Sequence, residues 1–209
     1  MYPRPMAEKS TIPTADQPAG NQFIAPTTVE AINNHVYFYA EVNSDRGLTL
    51  LQRLKETDNF LRSEHISRAL PSDFPPIPIW LHINSWGGSV TDGFAISDQI
   101  KQIQTPIYSI VEGMCASAAT FISMACTHRY IQPSAYMLIH DITAFLWGTH
   151  TQITDDVKLL EMMKERIIMF YVTHSALKKN VVEDYLLHNT WFNAGMAVEA
   201  GMVDSIYAA

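Results

Sequence analysis

Basic residues are scarce in this chain: 14 lysines and arginines stand against 21 acids in 209 residues, a net charge of −7. With no basic stripe to neutralise phosphates, no nucleic-acid partner is expected. Long hydrophobic runs are missing as well. No segment approaches the roughly 20 apolar residues of a membrane span, so no membrane partner is expected either. The opening residues show neither the charged-then-apolar order of a secretory signal nor an Arg-rich import sequence, which points to the cytoplasm. A phosphate-binding loop of the form GxxxxGK(S/T) is absent, so the chain offers no ATP site of that kind. His35, His65, His82, His150, His174 and His188 do not fall at HExxH spacing, and no metal or other cofactor is expected. Only two cysteines occur, Cys115 and Cys126. They lie too far apart to bridge along a straight helix, so reduced thiols are expected.

What is present suffices for one domain with a substantial core, at 47% hydrophobic residues. Residues 1–28 carry Pro3, Pro5, Pro13, Pro18 and Pro26 and read as a flexible arm, leaving 29–209 as the domain. From His35 to Val42 an aromatic and β-branched run predicts a strand. Leu48, Leu51, Leu54 and Leu61 recur at near-helical spacing, giving a helix of about four turns. Four prolines between Pro71 and Pro78 enforce a loop. A strand over 77–83, a helix over 91–103, a strand over 106–111 and a helix over 117–126 follow. Such alternation argues for an α/β protein with a parallel sheet. The helix predicted over 151–175 is apolar on more than one side. Ile153, Val157, Leu160, Ile167 and Tyr171 mark one face, and Leu159, Met162, Met163, Ile168, Met169 and Phe170 widen it. Such a helix must be buried on more than one side, which suggests a second subunit.

Three short segments carry chemistry. In Gly113-Met114-Cys115-Ala116-Ser117-Ala118-Ala119, a serine flanked by alanines can stand at a sharp strand-to-helix junction, where the helix start favours a developing anion. Met137-Leu138-Ile139-His140 ends an apolar, strand-like run on a histidine held firmly enough to act as a base. Ile83-Asn84-Ser85-Trp86-Gly87-Gly88-Ser89-Val90 is a Gly-Gly turn after a strand, able to present backbone N–H groups to an oxyanion. Cys115 reads as a small buried hydrophobe, since no base for its thiol is evident.

At these segments the chain resembles the ClpP family, the proteolytic subunits of the ATP-dependent Clp protease. INSWGGSV is similar to the family's I-N-S-P-G-G-x-V, GMCASAAT to G-x-A-A-S-x-x-A, and LIH to M-I-H. A fourth match, from Ala194 to Asp204, resembles S-A-x-E-A-x-E-Y-G-L-V-D. Together they cover about residues 35–207 in order. The resemblance implies a ClpP/crotonase-like layered fold of repeated β-β-α units, with a protruding handle helix at about 141–176. It implies a serine endopeptidase with Ser117 as nucleophile and His140 as base. The amides of Gly88 and Ala118 would hold the oxyanion. It further implies stacked heptameric rings, unfolded protein or peptide substrates, and an AAA+ unfoldase such as ClpX, ClpA or ClpC that alone would use ATP.

Two positions depart from the family pattern. Asn189 stands where the family carries its third catalytic residue, an aspartate; its amide oxygen can still accept an imidazole N–H but supplies no negative charge. Asp141 would point to the opposite face of a strand and is a poor substitute. Trp86 replaces a proline, implying either an aromatic subsite or packing at a subunit contact. A catalytically weak ClpR-like ring subunit and a phage-type maturation protease working without an unfoldase are therefore alternatives. A crotonase-fold acyl-CoA enzyme is a third, disfavoured by the Ser/His pair.

Overall fold

The computed structural model describes residues 28–69, 71 and 74–208. Apart from Thr28, the Pro-rich arm lies outside these residues, and the 71–78 connection falls within them only in part. The first elements form a hairpin, β1 (Thr28–Ile32) pairing antiparallel with β2 (His35–Tyr39). Asn33 makes the turn at φ 56°, a left-handed conformation that asparagine tolerates. There follow α1 (Ser44–Ser67), β3 (Ile79–Ser85), α2 (Val90–Ile100), β4 (Ile107–Ala116), α3 (Ala118–Met124), β5 (His128–Ile131) and β6 (Tyr136–Ile139). The chain then runs through α4 (His150–His174), α5 (Lys179–Leu187), β7 (Thr190–Asn193), α6 (Ala194–Glu199) and β8 (Ser205–Ile206).

As the alternation predicts, β2, β3, β4, β5 and β8 lie side by side and parallel, with the hairpin strand β1 at one edge. The sheet branches on β4. Its first half pairs with β5, while Met114 to Ala116 pair with β6. Gly113 sits at the branch with φ 71°, and a Cβ there would come 3.2 Å from Asn84 Oδ1. β6 pairs antiparallel with β7, so a two-stranded ribbon leaves the sheet beside the end of β4.

The α1 helix is longer than its leucine spacing predicts; Leu54 is buried and Leu51 and Leu61 pack against the core as that spacing suggests. Gly47, Leu50, Leu54, Thr57 and Asp58 face inward, whereas Leu48 is 60% exposed. Gly47 allows a close helix contact: its bare Cα lets Ile96 of α2 pack so closely that a Cβ would meet Ile96 Cδ1 at 2.9 Å. Asp58 is buried because it accepts from both the Thr105 amide and hydroxyl, at 3.0 and 2.6 Å.

The long α4 helix divides in two. Ile167, Ile168, Phe170 and Tyr171 are buried in the chain's own core, while Val157, Leu159 and Met162 are 42%, 53% and 70% exposed. Arg129 ties the buried end of α4 to the C-terminal motif. It donates to the His174 carbonyl at 2.7 Å, the Gly201 carbonyl at 3.2 Å and the Asp204 carboxylate at 2.6 Å. Gly201, at φ 65°, lies so near Ala176 that a Cβ would come 2.8 Å from its amide nitrogen.

Candidate active site

Ser117 occupies the junction between β4 and α3 at φ 54° and ψ −129°, capping the helix from outside rather than opening it as a helical residue. A positive φ in a serine costs about 1–3 kcal/mol and persists only where its surroundings hold it. Here they do. The Ser117 amide donates to the Leu138 carbonyl at 2.9 Å, and the Ser117 carbonyl accepts from the Thr120 amide at 3.0 Å and hydroxyl at 2.6 Å. Ala116, Ala118 and Ala119 are fully buried. Gly87 presses on the same turn, and a Cβ on it would lie 2.5 Å from the Ala116 carbonyl and 2.7 Å from Ser117 Cβ. Close packing on every side accounts for the run of small residues around the serine.

The Gly-Gly turn is fixed independently. Ser85 Oγ donates to the Ala40 carbonyl at 2.6 Å and accepts from the Gly87 amide at 3.1 Å. The Val42 amide donates to the Gly87 carbonyl at 2.8 Å, and the Ser89 amide to the Val42 carbonyl at 2.7 Å. Between these two ladder bonds the Gly88 amide faces away from Val42, because successive strand amides alternate in direction. Any Cβ on Gly88 would collide with the Val42 carbonyl. The second expected donor, the Ala118 amide, belongs to the first turn of α3, whose N–H groups lack intrahelical acceptors.

His140 is the first residue beyond β6. The β6–β7 register pairs Leu138 with Trp191 and Ile139 with Thr190. Continued by one residue, that register would set His140 opposite Asn189. Asn189 is exposed and His140 half-buried. Ser117 and His140 line one cleft of about 390 Å³, with Gly88, Phe121, Met163 and Tyr171 among its other walls; Asn189 lies outside that lining. Among the described residues no hydrogen bond joins Ser117 to His140 or His140 to Asn189.

Asp141 also borders the cleft, but both its oxygens are engaged. Oδ2 accepts from Lys164 Nζ at 2.6 Å and Oδ1 from the Ile142 amide at 2.8 Å, and neither oxygen bonds His140. Cys115 is fully buried, and burial pushes its thiol far up from the ordinary value, so it is inert. Trp86 stands outside the cleft lining and packs edge-to-face on Trp191, ring centres 6.3 Å apart, joining the Gly-Gly turn to β7. A larger groove, about 480 Å³, runs between the end of α1 and Phe74 to Ile77. It shares no residue with the first and holds no serine or cysteine nucleophile, so the chemistry selects the smaller cleft.

Residues 33–209 match the Clp protease family. The ATP-dependent Clp protease proteolytic subunit 1 of Chlamydia muridarum is 38% identical over 138 residues, which are 63% of this chain and 71% of that protein. Proteolytic subunit 2 of Cutibacterium acnes is 33% identical over 141 residues, 66% of either chain. Among solved structures, a mutant of ClpP1 from Listeria monocytogenes superposes with a TM-score of 0.71, covering 85% of this chain and 92% of that one. At 23% identity that likeness bears on the fold alone.

Proposed function

The chain belongs to the Clp protease family and is a ClpP-like serine peptidase, and from that premise we propose that Ser117, His140 and Asn189 act as its catalytic triad. The observation that carries the assignment is the strained Ser117 elbow opening into the cleft that His140 also lines. In this reading the Ser117 hydroxyl attacks a peptide carbonyl carbon while the His140 imidazole takes its proton. The tetrahedral oxyanion forms between the Gly88 and Ala118 amides, and collapse expels the amine with the proton that imidazolium returns. Water then releases the acyl group from Ser117 by the same steps in reverse order. Asn189 accepts the remaining ring N–H and holds the tautomer, without a charge to stabilise imidazolium.

The proposal extends to assembly. The exposed apolar half of α4 calls for a second copy to cover it, and stacked heptameric rings meeting through a 141–176 handle would do so. Residues 140–149, which lead into that helix, form no regular strand within this chain. Unfolded chains would be delivered by an AAA+ unfoldase such as ClpX, ClpA or ClpC. The cytoplasm is the proposed compartment. Both cysteines are free, and no helix among the described residues is long and apolar enough to cross a membrane.

The decisive experiment is labelling with a serine-directed fluorophosphonate, with Ser117→Ala as control and sizing chromatography alongside. Labelling of an assembled ring that disappears in the variant is the expected result. A well-formed ring that stays unlabelled would overturn the active peptidase and favour the structural ring subunit that Asn189 raises.

A further inference from the structure

Tyr171 comes from α4, a different part of the chain from the elbow, yet its hydroxyl lies 2.8 Å from Thr120 Oγ1. Both side chains are buried, Thr120 entirely and Tyr171 to within 2%. A threonine hydroxyl has one proton, and Thr120 commits it to the Ser117 carbonyl at 2.6 Å. At the tyrosine contact Thr120 is therefore the acceptor and Tyr171 the donor. Direction is thus fixed along the chain: Tyr171 O–H to Thr120 oxygen, Thr120 O–H to Ser117 carbonyl. Burial also pushes the Tyr171 hydroxyl up from its ordinary pKa, which keeps the donor in place at any working pH.

The consequence follows from peptide planarity. The Ser117 carbonyl and the Ala118 amide belong to one rigid unit and point in opposite directions. Whatever pins the carbonyl inward aims the Ala118 N–H outward. Ser117 sits at an unfavourable φ and ψ, so its peptide has a local incentive to rotate, and rotation would withdraw that amide. A threonine near a helix start often bonds a carbonyl three residues back, and that bond alone would be routine. The buried tyrosine reaching in from another helix is what makes it a relay.

We propose that Tyr171 and Thr120 are positioning residues that hold the 117–118 peptide plane so that the Ala118 amide faces the oxyanion. The inference rests on the assignment of Ser117 and Ala118 above. Because an oxyanion exists only in the transition state, loosening the plane lowers kcat and leaves KM nearly untouched.

The test uses the full chain, a fluorogenic peptide, and three variants. Thr120→Val keeps the shape and removes the hydroxyl; Tyr171→Phe keeps the ring; Thr120→Ser restores the hydroxyl. For Thr120→Val we expect kcat to fall about tenfold or more, less than the hundredfold or greater loss on deleting an oxyanion donor outright, with KM within about twofold. Tyr171→Phe loses less, the double variant behaves as Thr120→Val, and Thr120→Ser recovers most of the rate. Affinity for a peptide aldehyde, whose adduct places an oxyanion in the site, falls in parallel with kcat. An unchanged kcat in Thr120→Val, a change confined to KM, or no recovery in Thr120→Ser would overturn the relay while leaving the triad standing. A wild-type chain without Ser117-dependent turnover would sink both.

Discussion

The two halves of the proposed catalytic cleft are built to different standards. On one side, the Ser117 elbow is held by a backbone bond to Leu138, two bonds from Thr120, buried alanines and the bare Cα of Gly87. On the other, His140 and Asn189 sit just past the paired ends of a two-stranded ribbon, one half-buried and one exposed, with no hydrogen bond between them. The proposed nucleophile is over-determined and its proposed base is under-determined. Variants on the first side should therefore damage fold and activity together, whereas variants on the second should change activity alone.

The sharpest way to break the elbow is Gly87→Ala. The new methyl would meet the Ala116 carbonyl at 2.5 Å on a backbone at φ 89°, so either the turn or the elbow must move. The expected cost is about 2–4 kcal/mol of stability, read as a lowered denaturant midpoint, together with loss of fluorophosphonate labelling. A variant that keeps both the midpoint and the labelling would show that the close packing around Ser117 is not needed.

Substitution of Asn189 probes the looser side. Asn189→Asp supplies the missing charge, and since the reverse change in a Ser-His-Asp triad cost about 10⁴ in turnover, a gain of tenfold or more in kcat is expected. Asn189→Ala should lower kcat by about tenfold, with little change in thermal midpoint, as befits an exposed residue. If Asn189→Ala turns over like the wild type, the residue plays no part in orienting His140. Carried through together, the two variants measure how much of the triad this chain retains.

The difference between the two sides also decided what could be read from the sequence. Small residues packed against backbone leave a local signature, so Ser117, the Gly-Gly turn and Gly201 were visible as motifs, and the strand–helix alternation through residue 126 predicted a parallel sheet. Register was not legible. The pairing that would set His140 opposite Asn189 depends on β6 meeting β7, strands contributed by segments more than 50 residues apart in sequence. In α1 the leucine spacing marks Leu51, Leu54 and Leu61, which pack on the core, but it does not mark Gly47 and Asp58, buried residues without apolar side chains, nor the exposure of Leu48. The hydroxyl relay through Thr120 and Tyr171 was invisible for the same reason, since it joins residues from two helices that only the fold brings together.

A smaller effect separates α4 from itself. Its second half is core and its first half is exposed, so Met162→Glu should leave monomer stability within about 0.5 kcal/mol while placing a charge on a face that is 70% exposed at that residue. Sizing chromatography then reports whether the exposed half is an assembly surface: the expected outcome is a smaller species with unchanged circular dichroism. Full-size assemblies from the variant would remove the exposed half of α4 from the interface.

The smallest expected effect lies in two histidines away from the cleft. His35 and His174 both have pKa values lowered from 6.5, chiefly by burial, with His82 adding to the shift at His35. His35 Nδ1 lies 2.9 Å from His82 Nε2, so one proton serves the contact, and His174 Nδ1 lies 2.9 Å from the Phe170 carbonyl. A histidine whose folded pKa is depressed binds protons more readily when unfolded. Its contribution is neutral well above 6.5 and turns against the fold as pH falls through 6.5 toward the folded value. Acidification from pH 7.5 to 5.5 should thus lower the thermal midpoint by a few degrees, and His174→Gln, which keeps an N–H for the carbonyl but cannot titrate, should lose about 1 °C less over the same range. The elbow carries no such group, so the pH dependence of its hydrogen bonds should be flat: Ser117 labelling at pH 7.5, measured after a brief return from pH 5.5, should match that of untreated protein.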